Sequence, residues 1–512
     1  MVFFSDKKYK HRQLSGKAVS VIFALMLLII LFSITIMPLM DPSEGRYGSI
    51  GRMMFESGNY TTPQIIINGK IVPFWGKPPL FFWMQACAMR IFGVNEFSAR
   101  LPSALSAWLL LLVIYFVVKR YKDPTTALHA VMLTFTAGGY FFVGNLTLLD
   151  MLLVFTCSSA YMFYYAFLQE KNRRMKKFFS LLVFGFLGLG MLTKGPVALV
   201  MFGLPVFFWH LINKKWAVLK DHAWVTGLLL FSVLTVPWYI LAERATPGFL
   251  NYFFVHENFL RFLSKHYGDK YGTGHRFPYG MSILFFLLIS LPWVLFPFYF
   301  LFGALRKKRK YNFRTLKTAF YAISSDAASD NENKPYLDYF FIGFVSVTIF
   351  WCFARQLLAY YLLPALPPFA VWLALLIKKR GISIDFTVKT ALTFCMIYLL
   401  SLFIIGSILG KKKTTKIVME EIASRNSGKK VVFFLKTPKS SYFYAGKNLK
   451  IQPEKNVMEH LSELRKGKVF LISNKKYLKR IPEIVRKNYD FHQCRGGYWY
   501  IITPSWKRNK NQ

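Results

Sequence analysis

The chain has 512 residues, of which 54% are hydrophobic, and carries a formal net charge of +42. Apolar stretches of membrane-spanning length recur through most of the chain, which excludes an ordinary soluble globule. The Lys and Arg residues separate these stretches instead of gathering on one face, so the positive charge does not indicate nucleic-acid binding. The composition is that of a protein that crosses a membrane many times.

Eleven apolar windows, of roughly 15 to 25 residues each, are predicted to span the membrane. They are Ala18–Met37, Ser103–Val118, Ala127–Gly144, Leu146–Leu168, Phe178–Leu192, Pro196–Ile212, Ala223–Leu241, Tyr279–Leu305, Tyr339–Phe353, Leu357–Ile377 and Phe386–Leu409. Basic clusters occupy alternate connections, which the positive-inside rule assigns to the cytoplasm. These clusters are Lys7–Arg12, Lys119–Lys122, Lys171–Lys177, Lys214–Lys220, Arg306–Lys310 and Lys378–Arg380. An odd number of spans then places the N-terminus inside and the C-terminal tail outside.

The first outside loop, residues 38–102, has the pattern of a helix that lies along the membrane surface. Apolar residues recur at helical spacing from Tyr47 to Phe55, with charged residues between them. A second helix is predicted to begin after Lys77-Pro78-Pro79, because proline suits a first helical turn and keeps the preceding residue extended. Lys77 would therefore point away from that helix, toward a bound group. A second long outside segment covers residues 242–278.

The composition changes near Lys411 to that of a small soluble domain. Short β-rich runs and one helical pattern predict an α/β domain. The strands are predicted at Val431–Leu435, Tyr442–Tyr444 and Val469–Ile472, and the helix at Val457–Leu464. The predicted division is a transmembrane domain over residues 1–409 and a basic soluble α/β domain over residues 410–512 on the outer side. Its cationic surface either attracts anionic lipid or is simply solvated, and both alternatives stay open.

Charged and Pro-containing motifs in the outside loops, with short motifs in later connections, carry a family resemblance. The motifs are Asp41–Tyr47, Gly48–Met54, Gly76–Leu80, Phe92–Pro102, Leu148–Met151, Leu192–Pro196, Pro237–Tyr239, Asn251–Phe262 and Tyr361–Pro364. In this order they resemble the polyprenyl-phosphate-dependent GT-C glycosyltransferases. The nearest branch contains the aminoarabinose lipid A transferases and the protein O-mannosyltransferase-like enzymes. The resemblance covers most of residues 40–368.

The resemblance implies an all-α polytopic membrane protein of GT-C type, with about 11–13 transmembrane helices. It implies transfer of a hexosyl or pentosyl group, with inversion, from a polyprenyl-phosphate donor such as an undecaprenyl-phosphate sugar. The expected acceptor is lipid A or lipopolysaccharide, another glycan or a protein, at the outer face of the bacterial inner membrane. The alternative is a transporter, a flippase or a non-catalytic binder of lipid-linked sugars, none of which would break the donor bond.

The leaving phosphate of such a donor requires cations that stabilise the charge developing on it. Arg46, Lys77, Lys194 and Arg355 are the candidates for binding the donor phosphate, and Tyr361 would donate a hydrogen bond to it. Lys194 has an alternative role as an interfacial cation, whose aliphatic stem lies along apolar surface while its charge reaches water.

A hydroxyl acceptor would require a carboxylate that takes its proton. Glu44, Asp150 and Asp41 are the candidate catalytic residues. The resembling enzymes often carry adjacent Asp and Glu where this chain has Ser43 and Glu44, so the leading acid is either replaced by Asp41 or absent. Glu44 could instead anchor the loop by pairing with Arg46 or Lys77, and Asp150 could cap its helix. A phosphate acceptor would need no base.

No metal or other cofactor is predicted. The aminoarabinose branch typically has Glu and His at two positions where this chain has Gly76 and Asn258. Zinc requires several nitrogen, oxygen or sulfur ligands, and both of these candidates are missing together. His256 and Glu257 lie next to the second position and are the remaining candidates for binding a divalent metal.

Overall fold

The structure is a computed structural model. It describes residues 15–67, 70–263, 271, 275–306, 334–424, 430–434, 437–444, 450–454, 469–495 and 497–504. The helix predicted at Val457–Leu464 lies outside these residues.

Helices make up most of the described chain. In chain order they are α1 (Gly16–Ser33), α2 (Ser43–Ser57), α3 (Leu80–Phe92), α4 (Glu96–Tyr121), α5 (Pro124–Phe135), α6 (Gly138–Gly144), α7 (Leu149–Gln169), α8 (Arg173–Lys194), α9 (Val197–Asn213), α10 (Trp224–Ala245), α11 (Met281–Ile289), α12 (Leu295–Arg306), α13 (Lys334–Cys352), α14 (Leu366–Lys379), α15 (Ile384–Lys412), α16 (Lys416–Ser424), α17 (Lys439–Tyr444) and α18 (Glu483–Asn488). A π-helix (Tyr252–Leu260) lies between α10 and α11, and a 3₁₀ turn (Ala359–Ala365) leads directly into α14. The predicted all-α polytopic class with small sheets is confirmed.

Seven helices of the described chain are long and apolar enough to cross a membrane, and the bent pair of α5 and α6 would make an eighth. The seven are α1, α4, α7, α8, α10, the 3₁₀ turn with α14, and α15. The apolar helices α3 and α9 are shorter, as is the apolar part of α13 over Asp338–Cys352. All eleven predicted windows coincide with helical segments. The number of membrane crossings nevertheless stays a prediction, because several of those segments are short or broken.

Proline explains two of the irregular segments. α11 and α12 are separated by residues 290–294, where Pro292 has no N–H to donate to a helix. Pro364, which also lacks an N–H, lies in the 3₁₀ turn before α14. α5 and α6 meet at 66°. The break at Pro364 matters for the site, because the 3₁₀ turn carries Tyr361.

α7 lies at the centre of the helical bundle. Its most apolar window is 83% buried, and it packs against α4, α8 and α9. α15 lies at the periphery, where only 17% of the corresponding window is buried and Met396 and Leu400 are exposed. An exposed apolar face of this length is suited to contact with lipid.

The two helices predicted in the first outside loop are present as α2 and α3. α2 ends at Gly58, whose φ of +68° is in the left-handed region that commonly stops a helix. Its buried face, which includes Ile50 and Met54, packs against α3. A hairpin of β1 (Gln64–Ile67) and β2 (Lys70–Pro73) connects the two helices. The chain after β2 carries Lys77 to the start of α3.

A mixed five-stranded sheet forms near the C-terminus. Its strands are β3 (Lys430–Phe434), β4 (Lys450–Glu454), β5 (Val469–Asn474), β6 (Tyr489–Gln493) and β7 (Trp499–Pro504), in the spatial order β4-β3-β5-β7-β6. β3 is parallel to β4 and β5, whereas β7 is antiparallel to β5 and β6. The strands predicted at Val431–Leu435 and Val469–Ile472 are confirmed. The division at residue 409 stays a prediction.

The strand predicted at Tyr442–Tyr444 is wrong, because these residues end α17. α17 packs tightly on α2, where a Cβ atom on Gly45 would lie 2.5 Å from the backbone nitrogen of Ser440. The Arg52 guanidinium also donates a hydrogen bond to the Phe443 carbonyl. Tertiary packing therefore overrides the β propensity of the aromatic residues in this segment.

Candidate active site

A cavity of about 980 Å³ lies where the first outside loop, the π-helix, the 3₁₀ turn and the C-terminal sheet meet. Six of the eight predicted site residues line it, namely Asp41, Arg46, Lys77, Asp150, Lys194 and Tyr361. Glu44 and Arg355 do not line it. The lining contains eight Lys or Arg side chains and three carboxylates. This surplus of positive charge favours an anionic ligand.

Lys77 belongs to a three-residue ionic cluster at the cavity wall. Its ammonium pairs with Glu257, and the Arg261 guanidinium lies 2.6 Å from the same carboxylate oxygen. Burial lowers the pKa of Lys77, although the charge of Glu257 opposes this effect. Burial works to raise the pKa of Glu257, but Lys77 and Arg261 outweigh it, so that pKa lies below its ordinary value. The cluster therefore combines two cations with one ionised carboxylate.

A second ion pair joins the end of α8 to the start of α7. The Lys194 ammonium at the end of α8 lies 2.5 Å from an Asp150 oxygen in the first turn of α7. The same ammonium lies 4.1 Å from the centre of the Tyr361 ring, which suits a cation–π contact. Leu148 is the N-cap residue of α7 and Asp150 lies in the first turn, so the capping alternative is wrong. Lys194 is engaged with two cavity residues.

Arg46 extends from the second turn of α2 to the cavity. Its guanidinium donates a 3.1 Å hydrogen bond to the Tyr271 carbonyl and lies 5.0 Å from the centre of the Tyr47 ring. The Nε atom is buried and has no hydrogen-bond partner in the described part of the chain. A buried donor without a partner is costly, so an anionic ligand at this position would be favourable.

Glu44 pairs with Arg100 and with neither of the loop cations considered from the sequence. The side chains of Glu44 and Arg100 are 5% and 0% exposed, and their ion pair is 2.8 Å long. The carboxylate also accepts hydrogen bonds from the backbone nitrogens of Met40 and Thr147, at 3.1 and 2.9 Å. The structure thus places Glu44 at a buried junction behind the cavity.

Asp41 lies on the cavity wall next to the C-terminal segment. Its carboxylate accepts hydrogen bonds from the backbone nitrogen and hydroxyl of Ser440, at 2.8 and 2.5 Å. Burial raises the pKa of Asp41 to about 6, although these hydrogen bonds favour the charged form. Arg355 instead lies 3.7 Å from the centre of the Tyr279 ring, away from the cavity lining.

Comparisons with known proteins bear on this arrangement. The family described as dolichyl-phosphate-mannose-protein mannosyltransferase matches residues 76–240. The undecaprenyl phosphate-alpha-4-amino-4-deoxy-L-arabinose arabinosyl transferase of Enterobacter sp. (strain 638) is 28% identical over 341 residues, which cover 66% of this chain and 55% of the relative. The Erwinia tasmaniensis transferase of that name is 27% identical over 356 residues, covering 69% and 57%. The chain spans about half the length of the curated relatives it matches.

The comparison with a solved structure covers nearly the whole chain. ArnT from Cupriavidus metallidurans bound to undecaprenyl phosphate matches with a TM-score of 0.71 and 18% identity, over 95% of this chain and 98% of that one. The chain has the ArnT fold. The resemblance to GT-C glycosyltransferases that the motif order indicated is thereby confirmed.

The ArnT fold brings together charged residues that the sequence argument did not select. Glu257 on the π-helix and Arg261 directly after it line the cavity, four residues apart, and form the ionic cluster with Lys77. They belong to the motif Asn251–Phe262, which contributed to the resemblance. Charged side chains in an otherwise aromatic run were the available signal, because such groups are seldom buried without a partner.

The residues at and around Gly76 and Asn258 do not fit a metal ion. Gly76 has no side chain to offer, and the Asn258 amide donates a 2.7 Å hydrogen bond to the Phe253 carbonyl. Glu257 is occupied by two cations. In the described ranges, no three His, Cys, Asp or Glu side chains lie close enough to hold a metal. We therefore derive no catalytic step through a metal.

Proposed function

We propose that this protein transfers one sugar, a pentosyl or hexosyl group, from a polyprenyl-phosphate donor to an acceptor, with inversion at the anomeric carbon. The observation that carries the proposal is the cation-rich cavity built around the Lys77, Glu257 and Arg261 cluster. The ArnT fold supports it, because the matched structure was solved with undecaprenyl phosphate bound. The names of the sequence relatives point to the same class of donor.

Cavity residues on the donor side would stabilise the leaving phosphate. As the bond between the sugar carbon and the phosphate oxygen breaks, its electron pair goes to that oxygen, and nearby cations lower the energy of the developing charge. Lys77, Arg261, Lys194 and Arg46 are assigned this role, since all four line the cavity. The acceptor oxygen forms the new bond from the opposite face of the sugar, which inverts the configuration.

The other side of the cavity supports an anionic acceptor such as lipid A or lipopolysaccharide. Lys412, Lys413, Lys439 and Lys476, here called the lysine wall, line this side of the cavity. They come from the end of α15 and from the elements α16 to β7, here called the C-terminal unit. Phosphate and carboxylate groups on a glycolipid would be attracted to such a wall. A neutral glycan or an unmodified peptide offers no comparable charge, so we rank these acceptors lower.

The test is conversion of a donor by the purified chain in nanodiscs. Undecaprenyl-phosphate sugars with a radiolabelled pentose or hexose would be offered with lipid A, a neutral glycan or a peptide, and the products identified by mass spectrometry. We expect the labelled sugar to be attached to lipid A. Free, unlabelled undecaprenyl phosphate should form in an equimolar amount. An intact donor after long incubation, with binding retained, would instead support a flippase or a binding protein.

We also propose that the cavity faces the outer side of the bacterial inner membrane, with the N-terminus in the cytoplasm. In a Cys87→Ser background, single cysteines would replace Ser57 at the end of α2, Lys475 in the C-terminal unit, or Lys171 between α7 and α8; all three positions are exposed. A membrane-impermeant maleimide should label positions 57 and 475 in intact spheroplasts, and position 171 only after lysis. The reverse pattern would contradict the proposed orientation.

A further inference from the structure

The acceptor side of the cavity contains one carboxylate whose environment differs from the others. Asp150 is paired with Lys194, and Glu257 is paired with Lys77 and Arg261. For Asp41, the third carboxylate of the lining, no ion pair is found within the described ranges. Its hydrogen-bond partners are the hydroxyl and backbone nitrogen of Ser440 and the backbone of Lys439, and the charge of Lys439 also favours the ionised form. Neutral donors leave a carboxylate more basic than cations do.

The position of Ser440 is fixed by the way α17 packs on α2. Ser440 is fully buried. The Ser49 hydroxyl donates a 3.0 Å hydrogen bond to the Lys439 carbonyl, and the absence of a side chain at Gly45 lets the two backbones approach. Asp41 itself donates its backbone N–H to the Lys413 carbonyl at 2.8 Å. These contacts hold Asp41 and Ser440 together, although the two residues are 399 positions apart in sequence.

We propose that Asp41 is the proton acceptor for a hydroxyl group of the acceptor substrate, and that Ser440, contributed by the C-terminal unit, is the positioning residue that holds it. This inference rests on the proposed transfer reaction. The acceptor O–H gives its proton to an Asp41 oxygen while the acceptor oxygen bonds to the sugar carbon, and the phosphate leaves with the electron pair. A carboxylate has about four acceptor sites, of which Ser440 and the Lys439 backbone occupy three, so one site remains for the substrate.

The residues of this chain explain why the carboxylate lies at position 41. Ser43 occupies the place of the leading acid of the resembling enzymes, and Glu44 is enclosed with Arg100 away from the cavity. Asp41 is in the lining, and burial gives it a pKa of about 6, suited to a base that works near neutral pH. A hydroxyl nucleophile is compatible with an anionic acceptor, because the lysine wall can bind charged groups remote from the reacting oxygen.

The pH dependence of transfer provides the first test. The charge of Lys439 on α17 acts directly on Asp41, and Arg46 on α2, Lys413 just after α15 and Lys476 beyond β5 line the same cavity. We expect the acid limb of the wild-type kcat profile near pH 6, with activity lost below it. Ser440→Ala removes a hydrogen bond to the charged form, so the limb should move to higher pH by roughly one unit. Ser441→Ala is the matched control, since the neighbouring hydroxyl donates to the Pro438 carbonyl and not to Asp41.

A double-mutant cycle separates positioning from general destabilisation. Asp41→Asn should lower kcat roughly 100-fold or more with little change in donor KM. Adding Ser440→Ala to Asp41→Asn should then change kcat less than threefold. An equal loss from Ser440→Ala in both backgrounds would overturn the positioning role. Retention of wild-type kcat by Asp41→Asn, with the sugar found on a phosphate of the product, would overturn the hydroxyl assignment.

A readout that does not require turnover keeps the two proposals distinct. The Asp41 carboxyl would be titrated by infrared difference spectroscopy of the wild-type protein against Asp41→Asn, and the titration repeated with Ser440→Ala. We expect a carboxyl signal near pH 6 that Ser440→Ala moves upward. This signal with no donor conversion would defeat the proposed transfer reaction while the Asp41 and Ser440 contact stands; donor conversion with no such signal would defeat only the present inference.

Discussion

Replacing Lys77 by Met is expected to lower kcat with a polyprenyl-phosphate sugar by roughly 100-fold or more, the size of effect seen when one preorganised donor to a developing negative charge is removed. The ammonium lines the cavity beside Glu257 and Arg261, in a setting where water screens charge poorly. Donor KM should rise much less than kcat falls, because the charge on the leaving oxygen is greatest in the transition state. Single-turnover release of labelled sugar measures the chemical step directly.

The control for this prediction is a second lysine in an ion pair outside the cavity. Lys176 lies 2.5 Å from Asp221, whose side chain is largely exposed, and Lys176→Met should leave kcat within about twofold because exposed pairs contribute little. Lys77→Met also leaves Glu257 with one cation fewer, which could lower stability. The double variant Lys77→Met/Glu257→Gln removes that imbalance. Recovery of wild-type kcat in the double variant would contradict a role for Lys77 in catalysis.

The helices could be predicted from the sequence because their signals are local. Apolar runs, proline positions and helical spacing located α2, α3 and the long spans. The strand predicted at Tyr442–Tyr444 failed for the opposite reason: α17 is determined by contact with α2, nearly 400 residues earlier in the chain. β propensity reflects only a residue and its near neighbours in sequence, so it contains no information about so distant a packing partner.

The candidate site was predictable only as a set of residues. Motif order indicated that Lys77, Asp150, Lys194 and Tyr361 belong near one another, and the structure brings all four to one cavity. The sequence could not supply the pairings, since ionic partners such as Lys194 and Asp150 are 44 residues apart and no local pattern encodes them. Their roles in donor binding and catalysis stay predictions, for which the measurements above are the tests.

Removing Arg100 is expected to have the largest effect on stability. Its guanidinium is fully buried, pairs with Glu44, and donates hydrogen bonds to the carbonyls of Ile34, Met37 and Pro38, where the chain leaves α1. Arg100→Ala would leave a buried carboxylate without its cation and three carbonyls without a donor. Breaking such a buried pair typically lowers the free energy of unfolding by about 3–5 kcal/mol. The unfolding midpoint in detergent, measured by tryptophan fluorescence, should fall accordingly, whereas Arg90→Ala, at an exposed position on α3, should not change it.

Glu44→Gln distinguishes an anchoring residue from a base. The amide oxygen of Gln can still accept hydrogen bonds from the backbone of Thr147 and from Arg100, but it leaves the Arg100 charge uncompensated. We therefore expect a lower unfolding midpoint together with a kcat reduced less than tenfold, once the folded fraction is taken into account. The double variant Glu44→Gln/Arg100→Met should lose less stability than the two single losses summed, because the paired charges are removed together. An unchanged midpoint with kcat abolished would show that Glu44 acts on the substrate. Glu44, and not Asp41, would then be the candidate base.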